Sequence, residues 1–185
     1  MNPLAWQLTY LRYWYYGDRL VGRPNDLIWH LAFGSNMSEE VMRERRGIEP
    51  LESRAGCLPG YRLRFNLDGR PLGRAAPANL APDPDAEVWG VLYRIRRTDL
   101  VKLDSTEGVP RRRRYRHLHA EGRDIDGNSL HFVTYMAKGN LLDGNPSLRY
   151  LTLLRDGARA HGLPDHYIRF LDSVTPADYQ PLDSP

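Results

Sequence analysis

The run Leu27-Ile28-Trp29-His30-Leu31-Ala32-Phe33 stops at Gly34-Ser35-Asn36, and no other stretch restricts the fold of this chain so tightly. Its near-continuous apolar character predicts a central strand buried on both faces. Beyond it, Ser38 to Arg46 predicts one short helix ending at Gly47. A strand that hands over to a helix across such a turn leaves several backbone N–H groups facing one spot, an arrangement that binds anions. Ser35 or Asn36 supplies the helix cap, with Glu39 as the reciprocal partner of a capping box. Any strand-to-helix junction shares this form, so the motif alone does not define a site.

The rest of the chain reads as strand-rich. Ala55 to Asn66 predicts a strand broken at Pro59-Gly60, and Arg74 to Leu80 another. Ala81-Pro82-Asp83-Pro84-Asp85 predicts a turn, followed by a strand from Glu87 to Ile95. Thr98 is expected to cap a short helix that stops at Gly108. Tyr115 to Ala120 and Leu130 to Ala137 alternate as strands, with Asp126-Gly127 between them as a hairpin signal. Ser147 to His161 predicts a helix with Leu148, Leu151, Leu154 and Ala158 on one face, and Pro164 opens a last helix carrying Tyr167, Ile168 and Leu171. About six or seven strands and four short helices give an α+β class, mixed but mainly antiparallel, with the sheet curled into a small β-barrel flanked by the helices.

Residues 1–25 form an aromatic-rich N-terminal extension to a domain spanning 26–185. Trp6, Tyr10, Tyr13 and Trp14 recur at helical spacing and predict a short helix buried on more than one side. Gln7, Thr9 and Arg12 interrupt it well short of a membrane span, and no basic leader precedes an apolar core. It reads as an added helix packed on the domain, or on another copy in a homodimer, in preference to an interfacial membrane helix. At 185 residues, 41% apolar and 26% charged, the chain has the composition of one ordinary globular domain. Cys57 alone makes neither a disulfide nor a cysteine-built zinc site, and fits a reducing, cytoplasmic setting.

Candidate chemistry is sparse. Cys57 has no local histidine to activate it and reads as a structural cysteine. His117 and His119 share a strand face that His131 could meet across the hairpin, a pattern more in keeping with a solvated face than with a metal pair. Arg111 to Arg114 lack interleaved aromatic partners, so no nucleic acid is expected. Glu107 stands out. It falls at the C-terminal end of a predicted helix, where the helix dipole disfavours negative charge, and Asp104 lies one turn earlier. Both effects raise its proton affinity and suit it to acid–base work. A surface glutamate paired with the arginines that follow is the competing reading.

Ala32-Phe33-Gly34-Ser35-Asn36-Met37, then Glu87-Val88-Trp89-Gly90-Val91, then Leu103-Asp104-Ser105-Thr106-Glu107-Gly108-Val109 closely resemble the γ-glutamylcyclotransferases and their AIG2-like relatives. Ser147-Leu148-Arg149-Tyr150, Gly162-Leu163-Pro164 with Tyr167, and Pro176-Ala177-Asp178-Tyr179 extend the match in order. The resemblance implies a cofactor-free, metal-free reaction of γ-glutamyl and glutathione metabolism, in which a γ-glutamyl amide closes into 5-oxoproline and releases an amine or amino acid. It also implies that Gly34, Ser35 and Asn36 cradle the glutamyl group, with His30, Leu31, Ala32 and Phe33 leading into them. Glu107 matches the family's acid–base glutamate, and Tyr135 and Tyr150 match tyrosines lining its pocket. Relatives often carry tyrosine where this chain has Phe33, and tyrosine is likewise replaced by His30. A non-catalytic binding member of the same fold is the alternative.

Overall fold

The computed structural model describes residues 3–15, 22–69, 76–109 and 115–178. The described elements are α1 (Pro3–Tyr15), β1 (Leu27–Ala32), a 3-10 turn (Ser35–Met37), a single π-helical turn (Val41–Arg45), β2 (Glu52–Arg64), β3 (Asn79–Arg96), α2 (Arg97–Glu107), β4 (Arg116–Asp124), β5 (Ser129–Met136), α3 (Leu148–Ala160) and α4 (Asp165–Ser173). Among the described residues there are five strands, against the six or seven expected of the chain, and they close into a barrel in the order β1-β3-β2-β4-β5. All pairings are antiparallel except the closing one, where β1 meets β5 in parallel at His30 and Val133. No helix among the described residues is long and apolar enough to cross a membrane.

The strand count falls because β3 is much longer than its sequence suggests. Ala81 to Asp85, expected to turn the chain, lie inside β3, and Pro82 pairs with Tyr61 of β2. The ladder shifts register between Pro59 and Tyr61, so the proline-rich segment is taken up by a bulge in one long hairpin. The strand expected from Arg74 begins in residues that are not described, and the described part starts at Asn79. Strand β1 is buried only in its second half, from His30 onward, and Leu27 is 44% exposed. The β4–β5 hairpin forms as expected, with Asp124 accepting from the amides of Asp126 and Asn128.

Two helices differ from expectation in their caps. Helix α2 is preceded by Arg96 with no side-chain cap, and Thr98 lies inside it. Its first amides instead donate to the Asp26 and Pro24 carbonyls, which ties the helix to the segment leading into β1. Between β1 and β2 there is no capping box. Asn36 turns inward, and Ser38 Oγ accepts from the Val41 amide at 3.4 Å. Helix α3 starts at the expected Ser147 cap, which accepts from the Tyr150 amide, but Leu148 is exposed while Leu151, Leu154 and Ala158 are buried.

Helix α1 buries a single narrow face, contrary to the expectation of burial on several sides. Trp6 and Tyr13, two turns apart, are covered, while Leu4, Leu8, Leu11 and Trp14 are exposed. Helix α3 lies on the 3-10 turn so closely that a methyl group at Gly157 would sit 2.8 Å from Met37 Cβ. From the other side, the Tyr93 hydroxyl of β3 donates to the Met37 carbonyl at 2.9 Å. The turn after β1 is thereby clamped between helix and barrel.

Candidate active site

One cavity of about 230 Å³ opens where the turn after β1 meets the end of α2. It is lined by the residues that the family resemblance assigns to the site: His30, Leu31, Ala32, Phe33, Gly34, Ser35, Asn36, Glu107, Tyr135 and Tyr150. Its volume lies below the range of about 300–1,000 Å³ typical for drug-sized ligands and suits a small metabolite. The wall also includes Arg46, Pro77, Ala78, Thr106 and Tyr115, which sequence reasoning missed.

Glu107 is the last residue of α2, and the helix stops there because Gly108 adopts a left-handed conformation, with φ of 80°, that its neighbours would resist. Its carboxylate is 17% exposed. The Asn36 amide nitrogen stands 3.5 Å from Glu107 Oε1, while Arg46 Nε donates to Asn36 Oδ1 at 3.0 Å. A second guanidinium nitrogen of Arg46 lies 3.8 Å from the same carboxylate oxygen. Among the described residues, Asn36 and Arg46 bring to Glu107 partners from the segment after β1. Arg111 to Arg114 lie outside the described residues, and so does Tyr179.

The turn itself is closed by the amides of Met37 and Ser38, which donate to the Gly34 and Ser35 carbonyls. The preceding amides, Gly34 to Asn36, fall outside these bonds, as the opening N–H groups of any helical turn do. Gly34 packs closely on the wall, since a methyl there would lie 2.7 Å from Tyr150 Oη. That hydroxyl accepts from the Ala78 amide, and the Tyr115 hydroxyl donates to the Ala78 carbonyl at 2.7 Å. Ala78 thus pins both tyrosines to the wall.

Beneath the cavity lies a buried polar cluster. Asp104, 1% exposed, accepts from Tyr135 Oη at 2.6 Å, from His117 Nε2 at 2.7 Å and from the Tyr13 hydroxyl of α1. Both of its oxygens are therefore engaged by side chains from α1, β4 and β5. Burial and the adjacent Asp104 carboxylate push the Tyr135 hydroxyl well above its usual range, which keeps it neutral. His30 Nδ1 contacts the Val133 carbonyl at 3.0 Å, so that nitrogen carries the proton; burial lowers the imidazole to about 4 and leaves it neutral. His117 is committed to Asp104, and His131 stands opposite Glu121 rather than the other histidines. Among the described residues no group of three His, Cys, Asp or Glu side chains is arranged to hold a metal ion. Cys57 is fully buried with its thiol pushed up to about 11, chiefly by burial, in keeping with a structural role.

A profile of the AIG2-like family matches residues 87–171. The chain is 30% identical over 174 residues to γ-glutamyl cyclotransferase aclK of Aspergillus oryzae, covering 84% of this chain and 63% of that one. It thus spans less than two thirds of that relative's length. It is 29% identical to the γ-glutamylcyclotransferase of Bos taurus, covering 88% and 87% of the two chains. Its fold superimposes on a solved γ-glutamyl cyclotransferase with a TM-score of 0.73 at 24% identity, over 84% of this chain and 92% of the other. The closed barrel with its flanking short helices places the chain in a class of small α+β folds shared with that structure. Within it, this chain belongs to the γ-glutamylcyclotransferase, or AIG2-like, family.

Proposed function

We propose that the chain cyclises a γ-glutamyl amide, carried on an amino acid, an amine or a small peptide, to 5-oxoproline and the free amine. The observation that carries this reading is the meeting of Asn36 and Glu107, 71 residues apart in sequence, on one cavity wall. The names borne by the related proteins support the reaction class.

The bond-making is internal to the substrate. Its α-amine attacks its own γ-carbonyl carbon, a new C–N bond closes the five-membered ring, and the original amide C–N bond breaks. The attacking nitrogen must lose a proton and the departing nitrogen must gain one. Glu107 serves both steps, taking the proton from the α-amine and returning it to the leaving nitrogen. Asn36 and Arg46 hold its carboxylate toward the cavity. The amides of the Gly34 turn receive the substrate's α-carboxylate. Because nucleophile and electrophile share one molecule, the protein's main task is to fold the glutamyl chain, and orientation of this kind is worth about 7 kcal/mol or more.

The test is to incubate the protein with a panel of γ-glutamyl compounds and measure 5-oxoproline, with Glu107→Gln in parallel. Loss of the proton shuttle should reduce turnover by about a hundred- to ten-thousandfold while leaving the thermal midpoint in place. Wild type and variant equally silent on every compound would transfer support to a binding role.

A further inference from the structure

Helix α1 buries Trp6 and Tyr13, and the second of them reaches the cluster under the cavity. Trp6 Nε1 donates to the Gly22 carbonyl at 3.2 Å, near the base of the extension. Tyr13, 2% exposed, stacks on His117 with ring centroids 5.9 Å apart and donates its hydroxyl to Asp104 Oδ2. The other oxygen of Asp104 takes the Tyr135 and His117 bonds. Tyr135 lines the cavity, whereas Tyr13 and Asp104 do not.

This wiring fixes the polarity of one cavity wall. A phenol has one proton. Because Tyr135 gives its proton to Asp104, toward the cavity its oxygen is an acceptor. An acceptor there matches the α-ammonium of a glutamyl group, while the Gly34 turn and Arg46 offer donors to a carboxylate. Asp104 can hold Tyr135 in this sense only while its own position and charge are held, and Tyr13 is what engages its second oxygen. The groups facing Asp104 are Tyr13 from α1, His117 from β4, Tyr135 from β5 and His30 from β1, with Glu107 one turn further along its own helix.

We propose that Tyr13, carried on the N-terminal helix, is a positioning residue of this site, acting through Asp104 to present the Tyr135 oxygen as an acceptor for the substrate's α-amino group. The proposal rests on the cyclisation reading for its substrate but not for its geometry. The N-terminal helix is then part of the active site's support rather than an appendage.

Tyr13→Phe keeps the ring on His117 and removes only the hydroxyl. Trp6→Phe loosens the same helix at a point remote from Asp104 and controls for docking alone. With the γ-glutamyl compound that wild type turns over fastest, Tyr13→Phe should lower kcat/KM by up to about tenfold, the scale of one net hydrogen bond. The 13Cζ resonance of Tyr135 should move in the same variant. Trp6→Phe should match wild type in both readouts. Equal behaviour of the two variants, or wild-type behaviour of Tyr13→Phe, would overturn the proposal. A measurement on the wild-type chain needs neither a variant nor turnover. Adding L-glutamate should shift the 13Cζ signals of Tyr135 and of Tyr13 together, and a Tyr13 signal that stays still while Tyr135 responds would also overturn it. Coupled shifts in a chain that turns over no γ-glutamyl compound would retain the positioning role and sink the cyclisation reading.

Discussion

Replacing Gly34 by alanine tests how the cavity wall is assembled. The added methyl would lie 2.7 Å from Tyr150 Oη, whereas the next atoms, Tyr150 Cζ and Ala78 Cβ, stand at 3.8 and 3.9 Å. The φ of −122° is outside the left-handed region, so crowding rather than torsion decides the outcome. Tyr150 must retreat by about 0.7 Å to restore ordinary contact, which stretches the 3.3 Å bond from the Ala78 amide to its hydroxyl. Overpacking costs about 1–3 kcal/mol, and because Tyr150 is only half-buried the low end, about 1 kcal/mol, is expected. A wall displaced on this scale should lower kcat/KM for 5-oxoproline release about ten- to hundredfold. Tyr150→Phe deletes the offending oxygen and leaves a ring carbon at ordinary contact distance. Urea unfolding of wild type, both single variants and the double variant should therefore give a coupling of about 1 kcal/mol, with alanine nearly free of cost once the hydroxyl is gone. An alanine penalty of the same size with and without the Tyr150 hydroxyl would refute the reasoning.

Two further outcomes follow from buried titrating groups. His30 is held neutral, with its imidazole lowered to about 4 by burial, so below about pH 6.5 the unfolded chain takes up a proton that the folded one refuses. Stability should then fall between about pH 6.5 and pH 4, by about 3 kcal/mol at most, and urea titrations should show a shallower fall in His30→Gln. An identical pH slope in the two proteins would contradict this. Cys57, its thiol pushed up to about 11 by burial and the nearby Glu87 carboxylate, should resist iodoacetamide at pH 8 in the folded chain and react once urea unfolds it. Rapid labelling of the folded protein would contradict its burial.

Elements whose boundaries are set by local chemistry were legible in the sequence. The Asp126-Gly127 turn fixed the β4–β5 hairpin, and Ser147 marked the start of α3, because a tight turn and a side-chain cap depend on few neighbours. The gathering of Gly34, Glu107, Tyr135 and Tyr150 on one cavity was legible only through the family resemblance, since no local pattern brings distant segments together. What escaped was decided by tertiary contact. Asp83 and Pro84 read as a turn, but in the fold they sit in the irregular stretch of β3 between Pro82 and Glu87, which β2 pairs on either side at Tyr61 and Pro59. Asn36 read as a cap, but in the fold its side chain bridges Arg46 and Glu107. Arg46 carried no signal beyond being one more arginine near a helix end. The periodicity of α1 gave its helix but not its depth, because among its described residues Trp6 and Tyr13 are the ones the fold buries.

The barrel's closing seam has a consequence of its own. Where β1 and β5 run side by side, the paired register is a single step, His30 opposite Val133, and side chains reinforce it: His30 Nδ1 to the Val133 carbonyl and Thr134 Oγ1 to the Leu31 carbonyl at 2.7 Å. The clasp of the ring is thus sewn largely with replaceable thread, unlike the continuous main-chain lacing of the long β2–β3 hairpin. Substitution at His30 or Thr134 can slacken or tighten it without rewriting any strand, and the stretch that would feel such tailoring first is the one leading into the cavity.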